Sequence, residues 1–98
     1  MSLELVNSSL FVKNVNKYIR HNTKFKNELI EILKILSENP YDPKLKTHKL
    51  KGTLKGSLSC SINFNLRLIF SFGIVTDKFG NKREVIILET IGTHDEVY

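Results

Sequence analysis

Apolar residues recur along this chain with two different periods, and the change from one to the other divides it. Leu3-Glu4-Leu5-Val6 alternates and reads as a short first strand. Asn7, Ser8 and Ser9 follow, each able to cap a helix by accepting from free backbone N–H groups. Leu10, Phe11, Val12, Val15, Tyr18 and Ile19 then recur at helical spacing, with Lys13, Asn14, Lys17 and Arg20 opposite, which predicts a helix from about Ser9 to His21. Asn22-Thr23 is a break, and Thr23 reads as the cap of a second helix, although Lys26 supplies no capping-box partner. In that helix Phe25, Leu29, Ile32, Leu33 and Leu36 form an apolar stripe, widened by Ile30 and Ile35, and Asn39-Pro40 ends it.

Beyond Pro40 the period falls to two. Tyr41 to Thr47 is a loop, and Gly52 and Gly56 mark a turn and the start of a strand. Ser57 to Asn63 alternates, with Leu58, Cys60 and Ile62 on one face and Ser57, Ser59, Ser61 and Asn63 on the other, a polar face small enough to be left open for a ligand. Phe64-Asn65 is a tight connection into an apolar strand from Leu66 to Val75. Arg67 interrupts it, and an unpaired buried charge is costly, so it either points to the polar face beside Ser61 or pairs with an acid such as Glu89. A turn-rich stretch leads to a last strand from Glu84 to Ile91, which Gly92 is expected to break. The result is one α+β domain over residues 1–98: a helical hairpin packed on one face of a mainly antiparallel four-stranded sheet, in the order β-α-α-β-β-β, the last three strands forming a meander.

Composition narrows the function classes. No apolar run approaches the ~20 residues of a membrane span, and no basic region followed by an apolar stretch marks the N-terminus as a signal peptide. A single cysteine, Cys60, cannot form an intrachain disulfide, which fits a reducing cytoplasm. Its place between Leu58 and Ile62 makes it a small buried filler. The net charge of +5 favours an anionic partner, most simply nucleic acid. The excess is concentrated: between Pro40 and Cys60 five lysines (Lys44, Lys46, Lys49, Lys51 and Lys55) face one acid, Asp42. A solvated loop would explain those lysines equally well. His21, at a helix end, has the ordinary role of a cation favoured by the helix dipole. His21, His48 and His94 are too separated for a zinc pattern, and neither a glycine-rich phosphate loop nor a nucleophilic triad is present.

His48-Lys49-Leu50-Lys51-Gly52, Lys55-Gly56, Cys60, Leu68-Ile69-Phe70 and the terminal Thr90-Ile91-Gly92-Thr93-His94 together give the chain its likeness to a known group. With this element order, the chain resembles the RelE/ParE superfamily of bacterial toxins from type II toxin–antitoxin systems. It is most similar to the YafQ-like branch, whose members are mRNA interferases. The resemblance implies that His48 and His94 serve RNA cleavage, that Arg67 stabilises the phosphate, and that Tyr98 lies near the substrate. Two positions depart from the pattern: Ser61 stands where YafQ-like proteins have a further histidine, and Asn65 where they have an aspartate, followed by Leu66 in place of a tryptophan.

Such cleavage needs a base for a ribose 2′-OH, a cation for the crowded phosphate, and an acid for the leaving 5′-oxygen. Histidine suits both proton roles, and the planar fork of arginine suits the phosphate. Lys49, Lys51 and Lys55 would hold phosphates, Ser61 and Asn65 would orient substrate by hydrogen bonds, and Tyr98 would stack on a base. No cofactor or metal is required. The implied partners are a cognate antitoxin, the ribosome with its mRNA and, through the toxin–antitoxin complex, operator DNA, in a bacterial cytoplasm and with no membrane. Two other functions fit the same family: a ParE-like toxin that inhibits DNA gyrase without the two histidines, and a degenerate member that binds antitoxin without cleaving RNA.

Overall fold

The computed structural model describes residues 2–52 and 56–97. Strand β1 (Glu4–Asn7) leads to helix α1 (Ser9–Ile19) and helix α2 (Thr23–Glu38). A single 3-10 turn (Pro43–Leu45) precedes β2 (His48–Lys49), β3 (Leu58–Ser61), β4 (Leu66–Thr76), β5 (Lys82–Thr93) and a terminal helical turn, α3 (His94–Val97). The strands form one five-stranded mixed sheet in the order β1-β5-β4-β3-β2. β3, β4 and β5 make the expected antiparallel meander, and β1 pairs with β5 in parallel.

Three expectations are corrected. The sheet has a fifth strand, β2, which pairs antiparallel with β3 through His48↔Ser59 and Lys49↔Leu58. The final strand does not break at Gly92, because the ladder continues through Arg67↔Gly92 and Leu66↔Thr93. The second helix is capped by Asn22, not Thr23: Asn22 Oδ1 accepts from the Phe25 N–H at 3.2 Å.

The first helix is capped by Ser8, whose Oγ accepts from the Phe11 N–H at 3.1 Å and donates to the Glu89 carbonyl at 2.8 Å. That second bond ties the start of α1 to β5. One apolar face of the sheet packs under the helices: Leu58, Cys60, Leu66, Leu68, Phe70, Ile86, Leu88 and Ile91 form a buried cluster with Phe11, Phe25, Leu29 and Leu36. Burying each large side chain is worth about 1.5–3 kcal/mol, so α2 is held chiefly by Phe25, Leu29 and Leu36, while Ile30 remains exposed. Cys60 is fully buried, and burial pushes its thiol up to about 12.

A bulge in β5 decides what the far end of the sheet presents. Ile69 pairs with Thr90 and Phe70 with Leu88, which leaves Glu89 as the inserted residue. Before it, even-numbered residues of β5 face the helices; after it, Ile91 does. Gly92 therefore shares the opposite face with Arg67, its partner on β4, because directly opposed residues project to the same side. Among the described residues no helix is long and apolar enough to cross a membrane.

Candidate functional site

The face of the sheet away from the helices carries Ser59 and Ser61 from β3, Arg67 and Ile69 from β4, and Glu89 and Gly92 from β5, with His48 entering from β2 beside Ser59. It is only partly the open polar face that alternation suggests. Ser59 is fully buried, while Ser57 and Ser61 are half-buried. Ser57 Oγ donates to Glu89 Oε2 at 2.7 Å, so the acid that is a candidate partner for Arg67 is engaged instead by the residue that leads into β3.

Arg67 takes the other course, beside Ser61, its cross-strand partner. Its Nη1 donates to the carbonyl of Asn63 at 3.1 Å and to those of Phe64 and Leu66 at 3.3 Å. The guanidinium thus closes the β3–β4 turn with one nitrogen. A guanidinium has five N–H donors, and among the described residues nothing else is bonded to this one. Asn65 sits exposed in the same turn, its N–H donating to Asn63 Oδ1 at 2.9 Å.

His94 is the first residue of α3. It follows directly on Thr93, whose partner Leu66 adjoins Arg67, so His94 and Arg67 are near neighbours at one end of the sheet. His48 is elsewhere. It lies on the opposite edge strand, three strands from β5 and level with Thr90, and its Nδ1 is 3.3 Å from the Lys46 carbonyl. Three strand spacings of about 4.8 Å and four residues of about 3.3 Å put the two histidine backbones roughly 20 Å apart on a flat sheet. The structure groups Ser61, Asn65, Arg67 and His94, and sets His48 apart with Lys49 and exposed Lys51. Lys55 and Tyr98 lie outside the described residues.

The end of β5 holds residues that the periodic reading did not single out. Thr93-His94-Asp95-Glu96 is a capping box: Glu96 Oε1 accepts from the Thr93 N–H at 2.8 Å, and Thr93 Oγ1 accepts from the Glu96 N–H at 3.3 Å. The Tyr18 hydroxyl of α1 donates to the same carboxylate, and Lys17 Nζ stands 3.9 Å from its other oxygen. The Thr93 N–H, followed by the Tyr18 hydroxyl, holds the Glu96 carboxyl below the usual range. Burial, followed by Glu96, pushes the Tyr18 phenol up to about 12. The box was visible as Thr-x-x-Glu; nothing in the sequence pointed to Tyr18. Among the described residues no group of three or more His, Cys, Asp or Glu side chains is gathered that could hold a metal.

A helical hairpin on one face of a mixed five-stranded sheet is similar to the α+β fold of RelE-like toxins. The Agrobacterium tumefaciens YoeB/ParE toxin superposes with a TM-score of 0.75 at 14% identity, over 94% of this chain and 99% of that one. YafQ in the E. coli DinJ–YafQ toxin–antitoxin complex gives 0.70 at 24% identity, over 100% and 99%. A metal-bound toxin from Helicobacter pylori gives 0.71 at 28%, over 98% and 99%. A comparison with curated protein sequences returns no significant match. The family model for YafQ, bacterial toxin of type II toxin–antitoxin systems, matches residues 3–98. The chain belongs to that family.

Proposed function

We propose that this chain is a ribosome-dependent mRNA endonuclease that blocks translation and is neutralised by a cognate antitoxin. The observation that supports the reading is that, in a YafQ-family chain, His94 directly follows the β5 residues paired with Leu66 and Arg67. In this reaction the 2′-oxygen bonds to the adjacent phosphorus, the bond from phosphorus to the 5′-oxygen breaks, and a 2′,3′-cyclic phosphate is left. One histidine takes the 2′-OH proton and another group returns a proton to the 5′-oxygen. Arg67 offers its unspent donors to the charged phosphate, with Ser61 and Asn65 orienting the strand. Lys49, Lys51 and Lys55 hold flanking phosphates, and Tyr98 stacks on a base. For His48 to supply the second imidazole, its edge strand has to move towards Arg67 as RNA binds. The reaction calls for no metal or cofactor. Its target implies the bacterial cytoplasm, and the DinJ–YafQ complex is the pattern for its antitoxin; operator DNA is a further proposed partner, bound through the toxin–antitoxin complex.

One observation favours a second reading, a family member that binds antitoxin without cleaving. The group nearest Arg67 has Ser61 and Asn65, neither of which moves a proton at neutral pH, and His48 stands on the far edge. Primer extension on a translated reporter mRNA separates the readings, after brief induction of this protein and of His94→Ala. Codon-registered cuts that vanish in the variant are expected. Growth arrest without cuts would replace the nuclease with a gyrase-type target, and neither cuts nor arrest from folded protein would favour the binding-only member.

A further inference from the structure

The four residues of α3 are too few to hold a helical turn unaided, since nucleating a helix costs more than one hydrogen bond returns. Three features fix it from outside. The Thr93–Glu96 box closes its first turn from within the chain. Tyr18 donates to the Glu96 carboxylate and packs against Phe25, with ring centroids 5.7 Å apart, and Phe25 is fully buried in the core. Gly92 supplies the seat: a Cβ there would meet Val97 Cγ1 at 2.9 Å and Glu96 Cβ at 3.0 Å, so the turn lies directly over a residue that shares its face with Arg67. A continuous path thus runs from the α2 core through Tyr18 and Glu96 to the residue preceding His94.

We propose that Glu96, anchored by Tyr18, is the positioning residue for His94: it fixes the terminal turn so that the imidazole is presented beside Arg67, and takes no part in the chemistry itself. This rests on the ribonuclease reading. The carboxylate acts as an acceptor for the Thr93 N–H and the Tyr18 hydroxyl, and an amide oxygen can accept the same bonds. A proton-transferring Glu96 could not be replaced in that way.

The test uses purified toxin and ribosomes programmed with mRNA, comparing the natural protein with Glu96→Ala, Glu96→Gln and Tyr18→Phe. Amide exchange at Thr93 and His94 is followed by NMR on the same samples. A misplacement of about 1 Å costs up to about 100-fold, so Glu96→Ala is expected to lower kcat by about 10- to 100-fold with KM within about twofold. Glu96→Gln should stay within about threefold of the natural protein, where loss of an acid–base group costs about 10²–10⁴. Tyr18→Phe, which keeps the ring and the core contact, should fall between. Exchange at Thr93 and His94 should speed up in Glu96→Ala with the melting temperature little changed. Unaltered kcat in Glu96→Ala, or a Glu96→Gln as impaired as the alanine variant, would overturn the proposal. If the natural protein leaves programmed ribosomes uncut, the ribonuclease reading fails and the catalytic role falls with it. Exchange then decides the mechanical part, and unchanged protection in Glu96→Ala overturns that too.

Discussion

His48 and His94 are presented by opposite kinds of structure. His94 follows a twelve-residue strand that is laddered to β4 along its length, and opens a capped turn tied to α1. His48 begins a two-residue strand on the sheet edge, reached through a 3-10 turn and a left-handed Lys46 at φ 52°. Its local ties include the ladder to β3, the approach of its ring to the Lys46 carbonyl, and the Thr47 hydroxyl donating to the Pro40 carbonyl at 2.6 Å. On the ribonuclease reading, His94 is pre-organised before RNA arrives. His48, on a two-residue edge strand, is then the one left to adjust to a bound strand. Pre-organised groups lower a barrier most, which ranks the two.

The largest expected effect follows from that ranking. His94→Ala should reduce single-turnover mRNA cleavage by about 10²–10⁴, whereas His48→Ala should cost less and should raise KM as well, because it also loosens the grip of the lysine-bearing edge. Rate constants on programmed ribosomes give both numbers. If His48→Ala proves the more damaging, the comparison is inverted and the edge strand is the rigid partner in the complex.

The next effect probes the rigidity itself. Gly92→Val should lower cleavage by about 10- to 100-fold by pushing the terminal turn off its seat, while thermal unfolding shifts little, because the turn contributes no residue to the buried core. A Gly92→Val protein that cleaves normally would mean the turn need not stay where it is.

This glycine also shows what the sequence could and could not say. Read locally, glycine after an apolar run signals an ending, and the strand was expected to stop there. Its reason for being glycine is tertiary, the close approach of Val97 and Glu96, and no local pattern carries that. The helices, the meander and the buried Cys60 were legible because each follows from periodicity along a single segment. Strand β2 was not, since two residues cannot alternate and its identity comes from its partners Ser59 and Leu58. Ser59 misled for a related reason: alternation puts it on a polar face, but a small hydroxyl can be sealed beneath neighbours at little cost when it is hydrogen-bonded. For the candidate site, Arg67 beside Ser61 was one of two alternatives the sequence left open. The separation of His48 from His94 depends on strand order, which adjacency in sequence does not give.

A smaller effect belongs to the edge. Lys49 and Lys51 flank the start of the β2–β3 connection, exposed to solvent. Replacing either with alanine should weaken binding to RNA and reduce the dependence of log affinity on log salt by about one unit each, with the cleavage step on bound RNA unchanged. Filter binding across a salt series measures it. An unchanged salt slope would return these lysines to the role of an ordinary solvated loop.

The smallest effect, and the most specific to the His94 end, is the pH range over which its turn stays closed. Glu96 has a folded pKa below its ordinary value, so its contribution is complete above the unfolded carboxylate range and is lost only as pH falls through the lowered value. Tyr18 has a folded pKa raised from 10.0 to about 12, so its contribution is complete below 10.0 and is lost as pH rises towards about 12. The turn is therefore bracketed by one acidic and one alkaline edge, with neutral pH well inside. The Thr93 amide and the Glu96 carboxyl carbon, followed by NMR, should hold steady between those edges and shift together beyond each. Tyr18→Phe should remove the alkaline edge and leave the acidic one, because the Thr93 N–H still bonds the carboxylate. A Glu96 carboxyl that titrates in the ordinary range would show that the box is open in solution. His94 would then be held no better than His48, and the difference between the two ends would disappear.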